Sequence, residues 1–255
     1  MTRKTKATIL ITNDDGIYAE GIFALYQALK GLGNVIVAAP DNERSSIGHA
    51  ITLAHPIWVK KVQRKSKFFG YGISGTPADC VKFAINIILK RKPDLIVSGI
   101  NLGRNDGCSV FYSGTIAGAR EGALIGIPSM AVSLGTFVQP DYRQAAVISR
   151  KLTEHIFRHG LPAGTFLNVN VPSGMKTRGI RMTRQGTVPI HGEFRKRTDP
   201  NLRDYYWLTG RLPRFRNDLT IDTYALDKGY VTVTPIHCDM TDENALKILK
   251  KWAIK

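Results

Sequence analysis

The sequence predicts an α/β protein built on a Rossmann-like, doubly wound and mostly parallel sheet, with a C-terminal β-hairpin and helix extension. Three observations carry that prediction. Four short apolar runs lack polar alternation: 7–13, Asn34–Pro40 (NVIVAAP), Asp94–Ile100 (DLIVSGI) and Ser129–Gly135 (SMAVSLG). Strands buried on both faces read this way, as in a parallel sheet covered by helices. Helical stretches lie between the runs, which implies right-handed βαβ units. After about residue 162 the alternation stops, and strand-like segments follow one another with no full helix between them.

Each element has its own signal. The first run is cut off by Asn13-Asp14-Asp15-Gly16, a turn signature after β-branched residues. Residues 20–32 place Ile22, Leu25, Tyr26, Leu29 and Leu32 on one helical stripe. Thr76 reads as an N-cap, Pro77 as the first helical residue and Asp79 as an acid at the positive end. Val81, Ala84, Ile85 and Ile88 form the apolar face of that helix. Ile116–Ala123 is rich in small residues and reads as a helix able to lie close to the sheet. Residues 141–158 carry another, with Val147, Ile148, Leu152 and Ile156 inward. Phe166–Val171, Gly179–Gln185 and Tyr230–Pro235 read as strands, and about 241–252 as a terminal helix. Residues 1–186 are therefore expected to form the core. Residues 187–255 are expected to be an extension with an oligomerisation arm, a returning strand and the final helix. Its segment 187–219 is basic and aromatic but has no apolar core of its own, so it is not an independent domain.

Composition narrows the class. Cys80, Cys108 and Cys238 form no CxxC pair, which argues against a zinc ribbon or a disulfide framework and fits a reducing compartment. No stretch approaches the roughly 18 apolar residues of a membrane span. A cytoplasmic protein without membrane contact is expected. The net charge of +16 is uneven, with eleven Lys and Arg against three acids between Lys176 and Arg216. Such a strip suits a nucleic-acid partner, the steering of anionic substrates, or a plain solvated face. Lys60, Lys61, Arg64, Lys65 and Lys67 make a second basic cluster.

The polar residues gather where an open α/β sheet binds ligands, beyond the carboxyl ends of its strands. Asp14 and Asp15 follow the first run, Asp41–Ser46 the second, and Ser98–Asn101 ends the third, with Asn105 just after. Adjacent carboxylates resist joint ionisation, and a hard divalent cation removes that cost. A solvated Asx turn explains the Asp pair alone; convergence of three oxygen-rich clusters favours a Mg²⁺ or Mn²⁺ site. Ser113-Gly114-Thr115 opens the small-residue helix, where free N–H groups and hydroxyls suit a phosphate or simple capping. No P-loop, dinucleotide fingerprint or histidine metal motif is present.

These pieces together resemble the survival protein SurE family of metal-dependent 5′-nucleotidases. The matching segments are ILITNDDGIYAEGI (9–22), VAAPDNERSS (37–46), GTPADCV (75–81), PDLIVSGINLGRNDG (93–107), YSGTIAGAREG (112–122) and TFLNVNVP (165–172). The resemblance implies one divalent metal ion per subunit, held by Asp14, Asp15, Ser45 and Asn101. It implies phosphate contacts at Asn105, Ser113, Gly114 and Thr115, with Asp14 and Asp15 catalytic. It further implies hydrolysis of nucleoside 5′-monophosphates, with 3′-monophosphates and short polyphosphate as further substrates, by a homodimer or homotetramer. One departure stands out: the family pattern has glycine after the ligand serine, and this chain has Arg44-Ser45-Ser46, so either serine can supply the hydroxyl. The rival readings are a metal-dependent nucleotide-sugar transferase and a nucleic-acid-binding protein that uses strip 176–216, where Phe194, Tyr205, Tyr206, Trp207 and Phe215 interleave the basic residues.

Overall fold

A computed structural model describes residues 6–174, 176–189, 191–211 and 217–252 of the chain. In chain order its elements are β1 (Thr8–Thr12), α1 (Glu20–Leu29), β2 (Asn34–Pro40), β3 (Val59–Arg64), β4 (Lys67–Ile73), α2 (Pro77–Phe83), β5 (Leu95–Leu102) and α3 (Gly114–Leu124). There follow β6 (Ser129–Leu134), α4 (Arg143–His159), β7 (Thr165–Val171), β8 (Ile180–Met182), β9 (His191–Thr198), β10 (Asp204–Arg211), α5 (Asp222–Asp227), β11 (Val231–His237) and α6 (Glu243–Leu249). The main sheet has the order β3-β4-β2-β1-β5-β6-β7-β11-β8. All its pairings are parallel except β3–β4 and β7–β11.

β1 is buried along its whole length, since strands flank it and helices cover both faces. Its side chains alternate between those faces. Ile9 and Ile11 join Ile22 and Leu25 of α1 and Leu152 and Ile156 of α4 in one core. Leu10 joins Cys80 and Val81 of α2 in another, and α3 packs beside α2. From β1 the chain moves outward through β2 and then returns to β5 on the opposite side. The strand order therefore reverses between β2 and β5, and a crevice opens at the carboxyl ends there.

The first helix stops before the end of its apolar stripe. A Cβ on Gly33 would lie 2.3 Å from the Ala7 carbonyl oxygen, so the chain must turn there to start β2. The second helix begins as its sequence predicts. Thr76 Oγ1 accepts the Asp79 N–H at 3.1 Å, and Asp79 Oδ2 accepts the Thr76 N–H at 2.9 Å, a reciprocal capping box. Residues 59–73, read from sequence only as a basic cluster, form the β3–β4 hairpin that extends the sheet. Its turn places Lys65 and Ser66 at φ of 51° and 58°, a left-handed pair usually written with Asn and Gly.

In the C-terminal part, β11 returns to the main sheet between β7 and β8. β9 and β10 form a separate two-stranded ribbon, and Leu212–Arg216, including two basic residues of the strip, lie outside the described residues. α6 buries none of its side chains. Among the described residues no helix is long and apolar enough to cross a membrane.

Seating α1 on β5 demands glycine at position 21, because a Cβ there would sit 2.0 Å from the Ile100 carbonyl oxygen. Gly21→Ala is expected to cost about 2 kcal/mol of stability despite alanine's better helix propensity. Urea unfolding measures this, and a midpoint at or above wild type would contradict the seating.

Candidate active site

The turn after β1 is built by its own side chains. Asn13 Nδ2 donates to the Gly16 carbonyl at 2.9 Å, and Gly16 adopts φ 96°. The Arg44 N–H donates to the Asp14 carbonyl at 2.8 Å, and the Ile17 N–H to the Pro40 carbonyl at 2.8 Å. These bonds draw the loop after β2 against the loop after β1.

Asp14 is only 5% exposed. Thr115 Oγ1 donates to its Oδ1, and a Cβ on Gly114 would lie 2.9 Å from its Oδ2. The N-terminus of α3 therefore rests directly on the Asp14 carboxylate, an approach only glycine permits. Ser113 caps the helix by accepting the Ile116 N–H on Oγ at 3.2 Å. Asp15 turns toward β5, where its Oδ2 accepts the Leu102 N–H at 3.0 Å. Asn101 reaches the same edge because the β5–β6 register slips between Ser98 and Asn101, as irregularities near sites often re-aim a side chain. Its Nδ2 is held by the Gly103 carbonyl at 2.9 Å.

The result is a cleft of about 590 Å³ whose polar floor includes Asp14, Asn101, Asn105 and Ser113, with Ser45 and Ser46 on the same lining. Three of the sequence-predicted residues stand behind that floor. Asp15 is tied to the Leu102 N–H, while Gly114 and Thr115 are buried against Asp14. Ser45 is exposed and donates its hydroxyl to Glu43 Oε1 at 2.5 Å. Ser46 sits at φ 55°, in the left-handed region that glycine adopts without strain.

Burial pushes the Asp14 carboxyl up from its ordinary value. Burial, and then the neighbouring Asp14 charge, push Asp15 up to about 6. Among the described residues neither carboxylate has a Lys, Arg or His partner within 4.0 Å. Asn13 Oδ1 beside them is also buried without a donor. Two desolvated carboxylates, an amide and a hydroxyl form a hard oxygen set that suits a divalent cation.

Sequence reasoning missed what holds Asn105. Its N–H donates to Asn170 Oδ1 at 2.8 Å, its carbonyl accepts from Asn168 Nδ2 at 2.7 Å, and its Nδ2 donates to Ser133 Oγ at 2.9 Å. The two asparagines alternate within the mostly apolar β7, a pattern that marks polar residues on a buried face. Asp222 of α5 binds the Gly107 N–H at 2.9 Å and the Gly186 N–H at 2.8 Å. Arg104 bridges Asp106 and Asp227, so α5 fastens the same loop. The ribbon reaches the cleft through Gly192, Leu208, Thr209 and Gly210. Arg195, Lys196 and Arg197 pair with Trp207, Tyr206 and Tyr205 farther toward its tip. A second, smaller cavity of about 200 Å³, between Ala123 and Thr165, has no charged side chain on its lining.

The family described as Survival protein SurE matches residues 9–191. The 5′-nucleotidase SurE of Syntrophobacter fumaroxidans is 45% identical over 246 residues, covering 96% of this chain and 98% of that protein. The 5′-nucleotidase SurE of Chlorobaculum tepidum is 44% identical over 256 residues, covering 100% and 97%. The crystal structure of the SurE protein from Aquifex aeolicus superposes with a TM-score of 0.84 at 38% identity, covering 96% of this chain and 98% of that one. By profile, by sequence over its whole length and by fold, the chain belongs to the SurE survival protein family.

Proposed function

We propose that this protein is a 5′-nucleotidase that hydrolyses nucleoside monophosphates to nucleoside and phosphate, with one Mg²⁺ or Mn²⁺ per subunit held by Asp14, Asp15, Asn101 and Ser45. The observation that carries the proposal is the seating of the α3 N-terminus on Asp14, in one cleft with Asn101 and Asn105. The names of the relatives support the same activity.

When bound, the cation supplies Lewis acidity toward the phosphoryl group and toward the attacking water. The remaining work falls to the chain. The Ser113 hydroxyl, on the cleft lining, is placed to face the phosphoryl oxygens, with the dipole of α3 favouring negative charge there. Asn105 is locked by Ser133, Asn168 and Asn170, so its position does not have to be organised during the reaction. Neither hydroxyl at the helix start is set up as a nucleophile, because Thr115 is fully buried behind Asp14 and Ser113 has no carboxylate or imidazole partner among the described residues. Water attacks directly, and Asp14 is the carboxylate of the pair that reaches the cleft to receive its proton.

Three free thiols fit a cytoplasmic location. The ribbon leaves Phe194, Tyr206, Trp207 and Leu208 exposed, more apolar surface than a free arm carries. It is proposed as the arm of a homodimer or homotetramer; Leu212, part of the same apolar set in the sequence, lies outside the described residues.

Asp14→Asn is expected to lower turnover of adenosine 5′-monophosphate at least ~100-fold with unchanged circular dichroism, and excess EDTA to do the same to wild type. Full turnover in either case contradicts the proposal. Stability carries a second signature. A carboxyl whose folded pKa is raised favours folding below its unfolded value of 3.8 and loses that contribution as pH rises through about 6. A divalent cation offsets the loss, so its increment in thermal midpoint should be small at pH 5 and larger at pH 7.5. An increment independent of pH would place the cation elsewhere. Light scattering at micromolar concentration should give twice or four times the 28.2 kDa chain mass; a monomer contradicts the arm.

A further inference from the structure

We propose that Phe137 is the nucleobase-stacking residue of the cleft, an assignment that rests on the nucleotidase reading. The cleft has a polar floor and an aromatic rim. Asp14, Asn101, Asn105 and Ser113 occupy the floor, and Phe137 stands on the rim with 73% of its surface exposed. Phe137 lies in the loop after β6, the strand beside β5. Thr136 shapes that loop, donating Oγ1 to the Val138 carbonyl at 2.9 Å and accepting the Val138 N–H at 3.1 Å.

The ring has a prepared seat. A Cβ on Gly103 would lie 2.3 Å from Cε1 and 2.5 Å from Cζ of Phe137, so one ring edge occupies the space that any side chain at 103 would fill. Gly103 is itself fixed: its N–H donates to the Leu134 carbonyl at 3.0 Å, and its carbonyl holds Asn101 Nδ2 at 2.9 Å. The ring is thereby positioned from the same backbone that carries Asn101 and Asn105, and the rest of it stays open to the cleft. A lone exposed phenylalanine on a convex surface requires no explanation. One edge-seated at the rim of a cleft whose floor binds phosphate presents a π-face to whatever the phosphate is attached to. Phenylalanine has no hydrogen-bonding group, so it contributes by stacking.

The test compares two phosphomonoesters that share ribose and differ in the base, adenosine 5′-monophosphate and ribose 5-phosphate, on the full chain with Mn²⁺. In Phe137→Ala the ratio of their kcat/KM values should fall about tenfold, mostly through KM for the nucleotide. Phe137→Trp, which keeps a stacking face, should hold the ratio within about twofold of wild type. An unchanged ratio in Phe137→Ala overturns the stacking role and leaves the nucleotidase reading intact. Equal losses on both esters also overturn it, since they show a general effect of the loop on the site. A wild-type protein that cleaves neither ester removes the nucleotidase reading, and the stacking role with it.

Discussion

Everything in the cleft depends on how closely α3 approaches the sheet. Three glycines, one turn or so apart, line the contact. A Cβ on Gly114 would meet Asp14, one on Gly118 would lie 2.8 Å from both Ser98 Oγ and Thr12 Cγ2, and one on Gly122 would lie 2.2 Å from Ser129 Oγ. Gly114 sets the contact with Asp14 and the other two keep the helix axis down along its length. Glycine in a helix interior costs up to about 1 kcal/mol against alanine, so the helix gives up intrinsic stability for position. Near-complete burial against β5, β6 and α2 offsets that cost. Lifting the helix by even one methyl group would separate the positive dipole end from the carboxylate on which it rests.

The opposite wall is held by polar contacts instead of close packing. Asn168 and Asn170 on β7 and Ser133 on β6 take up the backbone and side chain of Asn105, while Asp222 and Arg104 tie the following residues to α5. Buried polar groups of this kind are costly unless each finds its partner, and once satisfied they permit one arrangement only. Most of the partners come from late in the chain, so the C-terminal part completes the loop after β5 and does not merely follow it.

How much of this was legible in the sequence depends on the range of the interaction. The strands at 8–12, 34–40, 95–102 and 129–134 were visible as apolar runs, and the start of α2 was visible because Thr76, Pro77 and Asp79 act within one turn. The small residues of α3 announced a close helix, though not that Gly114 would rest on Asp14. The β3–β4 hairpin was hidden, since Lys65-Ser66 adopts a left-handed turn without Gly or Asn and its strand Val59–Arg64 is mostly solvated. The Asn105 network was hidden for a different reason: its bonds span 28 to 65 residues in sequence, where no local pattern reports them. Of the residues the family resemblance implied, Asp14, Ser45, Asn101, Asn105 and Ser113 share the cleft lining. Asp15, Gly114 and Thr115 act from behind it.

The charge balance of the cleft has a consequence for the order of events. Asp14 and Asp15 adjoin with no Lys, Arg or His partner within 4.0 Å among the described residues. Arg104 on the cleft lining is paired with Asp106 and Asp227, so the bare floor is negative once the carboxylates ionise. The dipole end of α3 offers about half a positive charge, too little to attract a phosphate dianion past two carboxylates. Within the basic strip, Lys196 pairs with Asp204 at 2.6 Å and Arg203 with Asp199 at 2.9 Å, toward the tip of the ribbon. On the proposed reading, a cation on the carboxylates reverses the sign of the floor and makes the helix end and Asn105 accessible to phosphate. Cation and substrate then assist each other by the same factor in either order of binding, and the carboxylates that make an empty site repel its substrate are the ones that fill it with the charge that attracts it.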